Sequence, residues 1–215
     1  MAHNTSAVSD RHEFFYPNNI SRIILLAMED ILGRHGVNAV LNLAKHPELV
    51  NNYPPNNLEL AFSFTQISDT HEALLSMFGK RAGRAIAIHA GRETFRRGLK
   101  ELGPILGISD LALRTLPLGI KIKIGLNIFA ETMNKFTEQV VRLDEGREHY
   151  YWIIERCPFC WHRQLETPSC HLAMGILQEA ANWVSNGRVF DIKQTDSIAC
   201  GDEACIFEVR KRPIS

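Results

Sequence analysis

Apolar residues recur at helical spacing through the first two-thirds of the chain. Ile20, Ile24 and Ile31 illustrate the pattern, which predicts a helix over about 20–32. The same spacing predicts a helix starting near Ser68, where Asp69 and Glu72 would form a capping box. Further helices are expected at about 37–43, 81–102 and 118–136, with a short helix or loop at 105–116.

The last third of the chain changes character. Segments rich in β-branched and aromatic residues are separated by turn residues, which predicts two antiparallel hairpins with a helix between them. The strands are expected at 139–143, 149–154, 188–195 and 205–211, and the helix at 170–185. This order predicts an α+β fold, in which a helical N-terminal half packs on an antiparallel sheet built from two C-terminal hairpins.

The pattern also suggests a division of the chain. Residues 1–18 are polar, which predicts a flexible tail. We expect residues 19–66 to form a helical N-terminal extension and residues 67–215 to form the main domain. The apolar stripe between Ile20 and Ile31 exceeds what one small domain should need. Since exposed apolar stripes mark partner surfaces, we expect a homodimer joined through this extension.

The charge balance narrows the range of partners. Lysine and arginine together number 24, as do aspartate and glutamate, so the basic excess of a nucleic-acid-binding protein is absent. The sequence contains no apolar run of the ~18 to 20 residues that a membrane span requires and no secretory signal, so we expect a cytoplasmic protein. Peripheral membrane contact stays open.

One predicted helix has a face with almost no side chains. Small residues recur there every three or four positions, at Gly83, Ala87, Gly91, Thr94 and Gly98. A glycine inside a helix costs about 1 kcal/mol relative to alanine, so something must come close to this face to compensate. Close packing against another helix is the first interpretation, and the roof of a ligand pocket is the alternative.

All five cysteines fall within one stretch, from Cys157 to Cys205. Their spacing, Cys-x2-Cys followed by Cys and by Cys-x4-Cys, offers more thiolates than the four that a tetrahedral zinc needs. His162 and His171 are near enough in sequence to replace one of them. A site closed by four protein ligands would be structural. The alternative is a set of buried, reduced thiols that pack as small apolar groups.

The same region carries a family resemblance. Cys170-x4-Gly175, followed by Ser197-Ile198-Ala199-x-Gly201-Asp202-x2-Cys205-x-Phe207, resembles the 4-vinyl-reductase (hydrocarbon-binding) domain family. Cys157-Pro158-x-Cys160-Trp161 resembles the branch associated with bacteriochlorophyll and chlorophyll metabolism. The resemblance implies a fold like that of TRAPP vesicle-tethering subunits, often dimeric, with a hydrophobic pocket and in many members a structural zinc. Residues 67–215 would form this ligand-binding domain.

The resemblance also implies a set of metal ligands. Family members would use Cys170, a glutamate at 194, a cysteine at 197 and Cys205, but this chain has Gln194 and Ser197. Cys200 could replace the ligand at 197, and either Cys160 or Cys157 could complete the site. The zinc ligands that we expect are Cys160, Cys170, Cys200 and Cys205.

These observations predict a non-catalytic binding protein for a hydrophobic or tetrapyrrole-like small molecule, acting as a carrier, a sensor or a photosynthetic assembly helper. The expected pocket residues are Gly91, His89, Tyr151, Trp152 and Trp161. The aromatic residues could equally be ordinary core. Two alternatives are an enzyme or accessory subunit in vinyl reduction of a chlorophyll precursor, and a pure protein-interaction module. Hydride transfer needs a cofactor, and the sequence shows no dinucleotide-binding motif.

Overall fold

The computed structural model describes residues 13–106 and 116–215. Most of the expected tail and of the segment expected at 105–116 therefore lies outside the described residues. No helix in the described part is long and apolar enough to cross a membrane. The elements are, in order, β1 (Phe15–Pro17), α1 (Asn18–Leu43), β2 (Leu60–Ser63), α2 (Phe64–Leu106), α3 (Leu118–Phe136), β3 (Val140–Glu145), β4 (His149–Arg156), α4 (His171–Val184), β5 (Ile192–Asp196) and β6 (Cys205–Arg210).

The first two helices are longer than predicted, and each contains one bend. Gly33 has φ 68° and ψ 163°, and Gly79 has φ 74° and ψ 170°. Glycine adopts this backbone conformation without steric cost, so each glycine bends a longer element where the sequence suggested a helix end. Since α2 begins at Phe64, the capping box expected at Asp69 lies inside the helix, and that prediction was wrong.

A small two-stranded ribbon leads into both long helices. β1 and β2 pair antiparallel, with Phe15 opposite Ser63 and Tyr16 opposite Phe62. The prediction missed both strands, because three or four residues are too few to show a period of two.

The C-terminal half forms one antiparallel sheet in the order β3-β4-β6-β5. β4 and β6 occupy the centre, and Trp152 pairs with Phe207 there. The third predicted strand is shorter than expected, since β5 begins at Ile192. The α+β class, with N-terminal helices packed on a four-stranded antiparallel sheet, is confirmed.

Helix α2 packs against both α1 and α4. The apolar stripe of α1, including Ile23, Ile24 and Met28, is buried within the same chain. Residues of the expected extension and of the main domain share one hydrophobic core. This burial removes the reason for assigning α1 to a dimer contact, and the homodimer itself stays a prediction.

Candidate functional site

Four of the five cysteines meet between the sheet and α4. Cys157 follows β4, and Cys160 lies in the 3-10 turn Pro158–Cys160. Cys170 immediately precedes α4, and Cys205 is the first residue of β6. All four side chains are buried, and their sulfur atoms lie within 4.8 Å of one another. We call this group the cysteine cluster.

The sulfur–sulfur distances suit a tetrahedral metal. They are 3.4 Å between Cys160 and Cys205, 3.8 Å between Cys157 and Cys170, and 3.9 Å between Cys170 and Cys205. A disulfide would require about 2.05 Å, so the thiols are free. Four sulfurs placed tetrahedrally about 2.3 Å from a zinc ion lie about 3.8 Å apart. The cluster could therefore hold zinc in a closed, four-thiolate site.

The electrostatics of the cluster favour one thiolate over several. Burial raises the pKa of the Cys157 thiol well above its usual value. Hydrogen bonds from the thiols of three neighbours lower the pKa of the Cys160 thiol, and these neighbours are Cys157, Cys170 and Cys205. The backbone N–H of Ile198 also points at the Cys205 Sγ, at 3.4 Å. A bound dication would offset the negative charge of further thiolates, so metal binding should release protons.

Cys200, which the sequence analysis expected as a zinc ligand, lies outside the cysteine cluster. Cys157 is the fourth member of the cluster instead. The turn Ile198–Cys200 presents its backbone to the cluster and leaves the Cys200 side chain partly exposed. Gln194 Oε1 accepts a hydrogen bond from the Cys170 N–H at 2.9 Å. The Cys205 Sγ lies 3.8 Å from the Ser197 Oγ. Positions 194 and 197 therefore support the cluster from outside the group of four sulfurs.

A buried histidine lies next to the cluster. The Nδ1 of His71 is 3.1 Å from the Phe159 carbonyl oxygen. Burial, followed by the nearby charges of Arg163 and His171, lowers the pKa of His71 to about 3. This imidazole is therefore neutral in the folded protein at neutral pH, and its Nε2 has no hydrogen-bond partner among the described residues.

The small-residue face of α2 has two different neighbours along its length. A Cβ on Gly91 would collide with the Leu172 carbonyl oxygen and lie 2.9 Å from the Ile176 backbone nitrogen. Gly91, expected in the ligand pocket, thus belongs to the close contact with α4. Around Gly98, two turns later, a Cβ would meet nothing within 4 Å. The same face therefore opens into empty space toward the end of α2.

That space is a cavity of about 510 Å³, lined by parts of all four helices. Its volume lies within the range of roughly 300–1,000 Å³ that is usual for small-molecule sites. Representative lining residues are Ile24, Phe95, Gly98, Ile128, Phe129 and Trp183. We call it the apolar cavity.

The few polar groups on the described lining side chains are mostly engaged. Thr94 donates its hydroxyl hydrogen to the Ala90 carbonyl oxygen at 2.7 Å, and Thr132 donates to Ile128 at 2.8 Å. Tyr16 donates to Gln139. The Trp183 indole N–H and the Met133 thioether are the remaining polar groups on these side chains. The described lining includes no histidine, no cysteine and no charged residue.

The other expected pocket residues lie elsewhere. His89 is exposed, and Tyr151 pairs with Asp144 in the sheet. The Trp152 ring stacks on Phe129, with centroids 5.2 Å apart, but it does not itself line the apolar cavity. The last member of the set, Trp161, packs against two phenylalanines, Phe14 and Phe64. The two tryptophans are thus parts of the hydrophobic packing.

Sequence reasoning missed the residues that line the cavity from α3. Ile124 and Ile128 lie at helical spacing in the helix predicted at 118–136, and helical spacing alone does not distinguish core from cavity. Gly98 was identified as part of the small-residue face. Which glycine faces the cavity depends on where α4 crosses α2, and the sequence does not give that crossing point.

Comparison with known proteins gives the fold but no family. No family model and no curated protein matches the sequence. The 4-vinyl-reductase resemblance therefore stays a prediction, and a role in chlorophyll metabolism or photosynthesis gains no support.

Solved structures share the fold at low sequence identity. A trafficking protein particle complex subunit 3 from Naegleria fowleri, covalently bound to palmitic acid, matches with a TM-score of 0.52 and 14% identity, covering 66% of this chain and 91% of that chain. An Fe(II) unliganded H-NOX protein from K. algicida matches with a TM-score of 0.56 and 11% identity, covering 90% and 95%. An H-NOX protein from S. oneidensis in the Fe(II)NO ligation state has a TM-score of 0.53, 11% identity, and coverage of 88% and 98%. The chain therefore has a TRAPP- and H-NOX-like fold.

Proposed function

We propose that this protein is a non-catalytic binding protein that holds a hydrophobic small molecule reversibly in the apolar cavity, and that its cysteine cluster holds a structural zinc. The observation that carries the proposal is the cavity itself, about 510 Å³ in volume and lined almost wholly by apolar side chains. A ligand that buries hydrocarbon there gains about 25 cal/mol for each Å² removed from water. It meets few groups that would demand hydrogen bonds.

The lining also favours one kind of ligand over others. Haem iron is usually held by a histidine, a cysteine, a methionine or a tyrosine. The described lining contains no histidine and no cysteine, and the Tyr16 hydroxyl is engaged by Gln139. Met133 lies in the lining, but methionine binds haem iron in combination with a histidine, which the described lining does not supply. A thioester-linked acyl chain would need a cysteine at the cavity, and the five cysteines all lie outside its described lining. The proposal is therefore a hydrocarbon ligand held without a covalent or iron–protein bond, and a tetrapyrrole is the alternative.

Zinc at the cysteine cluster would stabilise the fold. Zinc bound by Cys157, Cys160, Cys170 and Cys205 would join the end of β4, the start of α4 and the start of β6. Four protein ligands leave no open coordination position for a substrate, so such a metal would be structural.

A titration with cis-parinaric acid, a fluorescent polyene fatty acid, tests the proposal. Gly98→Trp would fill the cavity, because a side chain at this position meets open space. Ala85→Trp, on the exposed surface of the same helix, is the matched control. We expect saturable binding to the native protein and to Ala85→Trp, and a loss of at least about tenfold in Gly98→Trp. Equal binding by all three proteins would exclude the cavity as the site.

A parallel titration with haem tests the alternative. A Soret band that is lost in Gly98→Trp and retained in Ala85→Trp would place a tetrapyrrole in the cavity and overturn the hydrocarbon assignment. Binding of the polyene, with no cavity-dependent haem signal, would support the proposal as stated.

A further inference from the structure

Two of the four cluster cysteines lie at the ends of one tight turn. Cys157 immediately precedes the 3-10 turn Pro158–Cys160, and Cys160 ends it, so the path of this turn sets the positions of both sulfurs. Phe159 lies between them and is 2% exposed. Among the described residues, no main-chain N–H donates to the Phe159 carbonyl oxygen. This buried group therefore needs a donor from another part of the fold.

A buried histidine of α2 supplies that donor. His71 is 1% exposed, and its Nδ1 lies 3.1 Å from the Phe159 carbonyl oxygen, although the two residues are 88 positions apart in the chain. The two aromatic rings also meet edge to face, with centroids 6.4 Å apart. A carbonyl oxygen can only accept, so the proton of neutral His71 must lie on Nδ1 for this hydrogen bond to form.

A second neighbour of His71 bears on where that proton lies. The Nη1 of Arg163 is 3.3 Å from the same Nδ1 and could donate to it only if Nδ1 carried no proton. That arrangement would leave the buried Phe159 carbonyl unpaired, which is costly. Arg163 has a carboxylate neighbour of its own, since its Nε lies 3.6 Å from Glu72 Oε2. The Nδ1–H form of His71 is therefore the one that satisfies the turn.

We propose that His71 is a positioning residue for the metal site, and that its Nδ1–H fixes the turn that carries Cys157 and Cys160. The inference rests on the structural zinc of the proposed function, and it adds a residue that is not itself a ligand. Groups that orient metal ligands in this way typically change metal affinity by about 10- to 100-fold when they are removed. The hydrogen bond would attach the metal site to α2 as well as to α4, and both helices line the apolar cavity.

Three variants separate the hydrogen bond from the packing of the ring. His71→Leu keeps an apolar side chain in the core and removes the donor, whereas His71→Asn keeps an N–H donor near the position of Nδ1. His89→Leu changes an exposed histidine of the same helix and is the matched control. Chelator competition measures the zinc dissociation constant, after circular dichroism of the metal-free proteins has shown which of them are folded.

We expect the zinc dissociation constant of His71→Leu to rise at least about tenfold, with His71→Asn and His89→Leu close to the native protein. Equal zinc affinity in His71→Leu and native protein would overturn the inference and leave the structural zinc intact. A folded His71→Asn that loses as much affinity as His71→Leu would also overturn it, because the ring and not the hydrogen bond would then matter. Native protein that binds no zinc would overturn the structural zinc and this inference together.

Nitrogen-15 NMR of the native, zinc-loaded protein provides a test that does not depend on the folding of any variant. The two ring nitrogens of a neutral histidine are distinguishable, and the hydrogen bond to Phe159 requires the proton on Nδ1. We expect His71 to show the Nδ1–H tautomer at neutral pH. The Nε2–H tautomer would mean that His71 does not hold the turn, whatever the variants show.

Discussion

Gly91 of α2 and Gly175 of α4 bring the backbones of the two helices into direct contact. A Cβ on Gly91 would lie 3.0 Å from the Gly175 Cα, and a Cβ on Gly175 would collide with the Ile88 carbonyl oxygen. One ion pair, between Arg96 and Glu179, and one hydrogen-bonded pair, between Arg92 and Gln178, flank this contact. The contact fixes α4 against α2 and leaves the apolar cavity where the small-residue face continues beyond it.

Enlarging either glycine should therefore destabilise the fold. We expect Gly91→Ala and Gly175→Ala each to lower the free energy of unfolding by about 1 to 3 kcal/mol, because backbone atoms must move apart. Gly98→Ala is the matched control, because its Cβ meets nothing within 4 Å and alanine is the better helix former. Urea denaturation measures all three. Unfolding energies that are lower for Gly98→Ala than for Gly91→Ala would contradict this account.

These glycines show how far sequence reasoning extends. The three-to-four-residue spacing of small residues identifies a face that must be closely approached. Which part of it meets a helix and which part meets empty space depends on the position of Gly175 in α4, more than 80 residues away in the chain.

The membership of the cysteine cluster also depends on tertiary structure that the sequence does not give. The hairpins and the helix between them were predictable, but the choice of Cys157 over Cys200 follows from the turn at Ile198–Cys200.

The cysteine cluster predicts a metal content of about one zinc ion per chain. Replacing any of its four residues with serine should abolish metal retention and lower Tm by about 10 °C, since structural zinc contributes folding free energy. Cys200→Ser is the matched control and should retain both metal and stability. Elemental analysis and thermal scans of the five variants measure this. Metal loss in Cys200→Ser, with retention in Cys157→Ser, would show that the ligand set is a different one.

Buried His71 predicts a specific dependence of stability on pH. Its pKa is lowered to about 3 in the folded protein, mainly by burial, and its unfolded value is about 6.5. Between these values the unfolded state binds more protons than the folded state. The contribution of neutral His71 to the free energy of unfolding is therefore complete above pH 6.5. The free energy of unfolding falls as the pH is lowered below that value, by about 2 kcal/mol at pH 5.

His71→Asn tests this by removing the titrating group. The unfolding free energy of the variant should fall less between pH 7 and pH 5 than that of the native protein. Both proteins carry the same cysteines, so any loss of metal in acid cancels in the difference. Parallel pH curves for the two proteins would show that His71 is not buried in its neutral form.

Occupancy of the metal site should affect ligand binding, because α4 belongs to both sites. Cys170 directly precedes the helix, and Ile176 and Trp183 within it line the apolar cavity. Zinc at the cluster would hold the start of α4 against the sheet, while the Gly91–Gly175 contact holds its middle. With the metal removed, we expect the cavity wall to be less well ordered, and the dissociation constant for parinaric acid to rise several-fold.

Thermodynamic linkage then requires that saturating parinaric acid raise the zinc affinity by the same factor. Chelator competition, with and without the fatty acid, measures the second quantity, and circular dichroism confirms that the metal-free protein is folded. Cys200→Ser should show the native coupling. An unchanged dissociation constant in folded, metal-free protein would mean that α4 is held by its helix contacts alone.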